Sequence, residues 1–210
     1  ATDSDIAQFG RDTYCYMWPR DGALVAHAMD KAGYVRPASL FFEFCRHLIT
    51  KEGFFLHKYN ADGSVGSSWH PWTLEQEGDL PVQEDETALV VWALWKHFDI
   101  YRDIEMIKPL YRPLIIRAAE WMCGYRDPKS GLPRPSYDLW EERFGVHAFT
   151  VGAVYGGLQA AAAFARAFGE TGLAEEFEDN ADKIKQAAER HLWREDAGRF
   201  VRTLYRQFLY

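Results

Sequence analysis

The sequence is poor in cysteine. Its three thiols, Cys15, Cys45 and Cys123, are odd in number and widely spaced. Without a C-x-x-C pair, neither a disulfide framework nor a zinc site is expected. Unpaired thiols suit a reducing compartment, so a cytoplasmic location is the expectation. No apolar run approaches about 18 residues, which leaves no transmembrane helix to expect. Cations are also scarce: 24 Lys+Arg stand against 31 Asp+Glu, for a net charge of −7. Binding to nucleic acid needs clustered Lys and Arg to neutralise phosphates, so that class of partner is excluded. The seven histidines form no H-E-x-x-H or His-x₃-His pair, so no metal is expected. There is no G-x-S-x-G elbow, no G-x-G-x-x-G and no P-loop. Residue 1 is Ala, and no charged-then-apolar leader opens the chain, which suits a processed protein or a fragment.

What is abundant is aromatic: 8 Trp, 11 Tyr and 14 Phe in 210 residues. Such an excess suits a large core or a binding cleft, because these rings are rigid and those of Trp and Tyr carry a polar tip. Apolar periodicity predicts six helices, near 19–31, 36–50, 84–101, 103–125, 148–168 and 173–194. Pro19 marks the start of the first and Gly33 its stop. Leu24, Val25, Ala28 and Met29 share one face of it. The fifth, with the run GAVYGGLQAAAAFARA, is small or apolar nearly throughout and should be deeply buried. The segment GRFVRTLY reads as a strand or a turn. Short and long connections alternate, so sequential helices run antiparallel and helices one, three and five point the same way. The segments 11–18, 52–82 and 126–147, all rich in aromatics and turn residues, precede these three helices and should gather at one end of the array.

Three clusters could carry chemistry. In SYDLWEER, Asp138, Glu141 and Glu142 crowd around Trp140. Like charges and a neighbouring indole raise carboxyl pKa values, which suits a general acid. A solvated acidic stretch before a helix would account for the same string, although a tryptophan among acids is costly to leave exposed. In YCYMWPRDGA, Arg20 is a cation in a first helical turn, where the dipole disfavours it. With Asp21 it offers a donor fork and an acceptor suited to adjacent sugar hydroxyls; an internal Arg–Asp pair is the other reading. Gln83, Glu84, Asp85 and Glu86 crowd a helix start with more polar groups than capping requires.

The segments YCYMWPRDGA, HKYNADGSVGSSWHPW, LPVQEDETALVVWALW and YDLWEERFGVHAFT, in this order and across nearly the whole chain, resemble glycoside hydrolase family 15, especially its prokaryotic glucoamylase-type members. The resemblance implies an all-α chain forming part of an (α/α)6 toroid, about six of twelve helices in hairpins, with helices one, three and five in the inner ring. It implies an inverting, exo-acting α-glucosidase that releases glucose from the non-reducing ends of α-glucans or oligosaccharides, without a cofactor or a membrane partner. It places the general acid at Glu141 and the hold on the terminal sugar at Arg20 and Asp21. Trp18, Leu139, Trp140 and Glu142 fall at substrate-contacting positions, and Trp69 at an aromatic that supports the acid. The family's base lies in the later half of the toroid, so the base is expected outside this chain. Residues 1–210 are then an internal fragment lacking an N-terminal β-domain, the first helix and the C-terminal half of the ring. The alternatives are a trehalase, glucodextranase or isomalto-oligosaccharide hydrolase of the same family, or a non-catalytic carbohydrate-binding or regulatory relative.

Overall fold

The computed structural model describes residues 16–66 and 82–205. Its helices are α1 (Pro19–Lys31), α2 (Val35–Leu48), α3 (Glu84–Tyr101), α4 (Ile104–Leu110), α5 (Arg117–Gly124), α6 (Ala148–Ala167) and α7 (Thr171–His191). The expected fourth helix is thus two helices joined by a π-helical turn over Tyr111–Ile116. Pro109 and Pro113 remove two backbone donors there, and a widened turn accommodates the interrupted ladder. Asp103 caps α4 by accepting the N–H groups of Glu105 and Met106, both at 3.1 Å.

Helices α1, α3 and α6 form one layer, with α3 between the other two, while α2, α5 and α7 cover them from outside. The central position explains why α3 is buried from Glu84 through Val91 and again at Ala93 and Leu94. Gly157 of α6 lets the two helices approach closely: a Cβ there would lie 2.9 Å from the Ala88 carbonyl oxygen. Further along the same contact, Phe164 packs edge-on against Trp95, with ring centroids 4.9 Å apart. Helix α6 is long and apolar enough by composition to cross a membrane, unlike the expectation from the sequence, but 61% of its most apolar window is buried between protein neighbours.

The apolar stripe on α1 does not face the core. Ala23, Ala26 and Asp30 point inward, while Leu24, Val25 and Met29 are exposed. α1 lies at an edge of the layer, whereas α3 has a neighbour on each side.

Short strands were largely invisible in the sequence, since two to four residues are too few to show a period of two. β1 (Ser136–Tyr137), β2 (Phe144–His147) and β5 (Thr203–Leu204) form an antiparallel sheet in the order β1-β2-β5. β3 (Trp193–Arg194) pairs with β4 (Arg199–Phe200), so GRFVRTLY does supply strands.

Candidate active site

The starts of α1, α3 and α6 meet at one end of the layer, and a buried arginine joins them. The Arg20 Nη1 lies 2.8 Å from Gln83 Oε1, 2.9 Å from Asp85 Oδ2 and 2.9 Å from Glu86 Oε1. Its backbone N–H donates to Glu86 Oε2 at 2.5 Å. Asp85 in turn accepts the Thr150 hydroxyl of α6 at 3.1 Å. This network accounts for the acids crowded at Gln83–Glu86: they surround a cation from another helix. It also accounts for a cation in the first turn of α1, which two fully buried carboxylates stabilise against the helix dipole. Burial works against the charged guanidinium, yet Glu86 and Asp85 hold its pKa above the ordinary value. Asp21 stands 3.5 Å from Nε with a largely exposed side chain, so the internal pair is loose and its carboxylate remains open to solvent. Burial raises Glu86 well above the carboxylate range, and Arg20 opposes that rise.

The second wall is the turn between β1 and β2. Arg20 Nη2 reaches its Leu139 carbonyl at 3.4 Å, and Gln83 Nε2 reaches the Asp138 carbonyl at 3.4 Å. The turn therefore sits directly over the Arg20 cluster. Within it Glu141 adopts a left-handed conformation (φ +55°), uncommon for a side chain with a Cβ. Its side chain is only 12% exposed, whereas Glu142 is exposed. Trp140 is 73% exposed, contrary to the expectation that an indole among acids would be covered. The turn bends so that residue 141 points inward and residue 140 outward.

The third wall is the stretch 54–66. The Phe55 N–H donates to Thr87 of α3 at 2.9 Å, and Met17 and Tyr59 pair through two backbone bonds of 2.8 and 2.9 Å. These contacts bring His57 Nε2 to 3.7 Å from Glu141 Oε1. Lys58, fully buried, places Nζ 4.2 Å from the Tyr16 ring centroid and 5.6 Å from that of Trp18. His57 and Lys58 escaped the sequence reading, which weighed the histidines as metal ligands. Nothing in the string HKYN shows that its first residue meets a glutamate more than eighty positions away.

Arg20, Leu139 and Glu141 are thus brought to one end of the helix layer, with Trp18, Asp21, Trp140 and Glu142 next to them in the chain. Trp69 lies outside the described residues.

Glu84, beside this cluster, is buried with neither carboxylate oxygen well hydrogen-bonded among the described residues. Burial pushes its pKa up to about 8, and Ser136 and the Arg134 backbone offset only part of that. The folded protein therefore holds a proton that the unfolded chain releases near 4.5. Stability from this group is complete below that value and declines toward pH 8, by roughly 1.4 kcal/mol per pH unit at most. Glu84→Gln keeps the neutral shape and removes the titration. The variant should match the parent in denaturant melts at pH 4.5 and exceed it progressively up to pH 8.

Residues 6–204 match the sequence profile described as Glycosyl hydrolases family 15. An uncharacterized glycosyl hydrolase of Methanocaldococcus jannaschii is 26% identical over 191 residues, covering 91% of this chain and 28% of that protein. The isomaltose glucohydrolase of Kribbella flavida is 26% identical over 167 residues, covering 69% of this chain and 38% of that protein. The chain therefore spans well under half the length of these curated relatives. Among solved structures, the glucoamylase of Saccharomycopsis fibuligera superposes with a TM-score of 0.69 at 20% identity, over 90% of this chain and 43% of that one. Its likeness concerns the fold, and it agrees with helices layered as in part of an (α/α)6 barrel. With the profile matching almost end to end over the residues that build the Arg20 cluster and the Glu141 turn, the chain belongs to glycoside hydrolase family 15.

Proposed function

We propose that this chain carries the general acid and the sugar-holding cation of an inverting, exo-acting α-glucosidase. The observation that carries the reading is the convergence of Arg20 with the Glu141 turn over the starts of three helices. Glu141 protonates the departing glycosidic oxygen. A side chain held at the edge of burial suits that role, since it keeps access to substrate while most of its surface is shielded from water. Arg20 Nη1 is committed to Gln83, Asp85 and Glu86 and one N–H of Nη2 to the Leu139 carbonyl, which leaves the other Nη2 N–H and the nearby Asp21 carboxylate to meet adjacent hydroxyls of the terminal glucose. In this reading Trp18, Leu139, Trp140 and Glu142 contact the sugar.

An inverting enzyme needs a second carboxylate roughly 6.5–9.5 Å from the acid, with a water between. Asp85 and Glu86 are fully buried and ion-paired to Arg20, and so are poorly placed to activate such a water. The base in this reading belongs to a part of the protein outside these 210 residues. That part also supplies the helices that cover Leu24, Val25 and Met29 of α1. Residues 1–210 expressed alone should release no glucose and should self-associate in size-exclusion chromatography. Hydrolysis by a monodisperse 210-residue chain would show that the base lies within it.

Linkage preference divides the reading. The isomaltose glucohydrolase relative favours α-1,6 bonds as an alternative to α-1,4. Glucose release from maltose, isomaltose and trehalose by the full-length protein separates these cases. Release from none of the three, with retained binding of a glucose-like inhibitor, would instead indicate a carbohydrate-binding relative.

A further inference from the structure

We propose that Arg202, immediately before β5, and Thr203, the first residue of β5, are positioning residues that latch the Glu141 turn in its working shape. The inference rests on the proposed role of Glu141 and adds the device that holds it. Asp138, at the head of the turn, is the latch point. Its Oδ1 accepts the N–H groups of Glu142 at 2.9 Å and Arg143 at 3.3 Å. Its Oδ2 accepts from Arg202 Nη2 at 2.8 Å. The backbone closes the same turn: Glu141 N–H donates to the Asp138 carbonyl at 2.7 Å, and Asp138 N–H to the Arg143 carbonyl at 2.9 Å. Burial by itself would raise the Asp138 pKa. The two N–H donors, with His147 and Arg202, reverse this and hold it below the usual carboxylate range, so the acceptor stays charged.

A left-handed Glu141 persists only if its surroundings over-determine it. The Asp138 carboxylate does so from within the turn, and Arg202 fixes that carboxylate from without. Arg202 and Thr203 are themselves anchored to the start of α6 and the end of β2. The Ala148 N–H donates to the Arg202 carbonyl at 3.0 Å, and His147 pairs with Thr203 in the sheet. The buried His147 ring joins both ends: Nε2 donates to the Ser136 carbonyl at 2.9 Å, and Nδ1 is hydrogen-bonded with the Thr203 hydroxyl at 3.1 Å. One imidazole thus ties β5 to the strand that leads into the turn. The ion pair is asymmetric. Asp138 is almost wholly covered while the Arg202 side chain is half exposed, so Arg202 can be replaced without opening a cavity.

The test uses Arg202→Gln, Arg202→Lys and Thr203→Val in the full-length protein. Steady-state kinetics on whichever disaccharide the enzyme cleaves are combined with hydrogen exchange over residues 137–145. Displacing a reacting group by a fraction of an ångström to one ångström lowers turnover by about 10- to 100-fold. Arg202→Gln should therefore lower kcat by that range with KM nearly unchanged, and speed exchange at Glu142 and Arg143. Arg202→Lys should recover most of both, and Thr203→Val should give a smaller effect of the same kind. Parental kcat and parental exchange in Arg202→Gln would overturn the proposal. So would a fall in kcat accompanied by faster exchange throughout α3 and α6, which would mark general loosening. If Glu141→Gln retained full turnover, the acid assignment would fall, while the exchange pattern would still report whether Arg202 holds the turn.

Discussion

Glu141→Gln in the full-length protein should lose on the order of 10²–10⁴-fold in turnover on its α-glucoside substrate, the usual contribution of a positioned general acid. The substitution keeps the length and planarity of the side chain and removes only the transferable proton. Glu141 faces inward from a turn closed by Asp138, so the glutamine should occupy the same place. Binding of a glucose-like inhibitor should survive. The loss should also depend on the leaving group: an activated aryl glucoside, whose departing oxygen needs little protonation, should suffer much less than a disaccharide. Equal losses on both substrates would move Glu141 from proton transfer to ground-state binding. Unchanged turnover on both would remove it from the site.

The second large effect is on folding. Arg20→Leu removes the one cation seen between Asp85 and Glu86, both fully buried, among the described residues. Breaking a buried ion pair from one side costs about 3–5 kcal/mol, because the remaining charge has neither partner nor water. For a domain of this size that is a fall in Tm on the order of 10 °C. Arg20→Lys keeps the charge but replaces a planar fork by a point charge. It should retain most of the stability while weakening inhibitor binding, since one ammonium cannot serve Asp85, Glu86 and a sugar together. Differential scanning calorimetry with inhibitor titration separates the two roles. An Arg20→Leu variant as stable as the parent would show that the acids find other partners.

These expectations draw unequally on the sequence. Helix bounds were legible where punctuation is strong: Pro19 opens α1, and Glu84 and Tyr101 bound α3 as read. The surplus of acids at Gln83–Glu86 was also legible as a surplus. What it served was not, because the partner lies 63 to 66 positions away and only packing brings it there. The apolar stripe on α1 was legible as a stripe, but whether it lies covered was not. Periodicity reports that a face is apolar, and says nothing about whether its partner is present. Trp140 was expected under cover, but the left-handed turn at Glu141 directs neighbouring side chains to opposite sides. The proximity of His57 to Glu141 and the Arg202–Asp138 latch are long-range contacts of single side chains, for which one sequence carries no periodic signal.

In the proposed reading, this chain contributes the acid of an inverting glycosidase whose base stands across the sugar from Glu141. The most direct measurement follows the anomer of newly released glucose by proton NMR, in the first minutes of hydrolysis by the full-length protein and before mutarotation. β-Glucose should appear first from an α-linked substrate, and Glu141→Gln should abolish its release. Release of α-glucose would mean retention through a nearby nucleophile, and would contradict the reading.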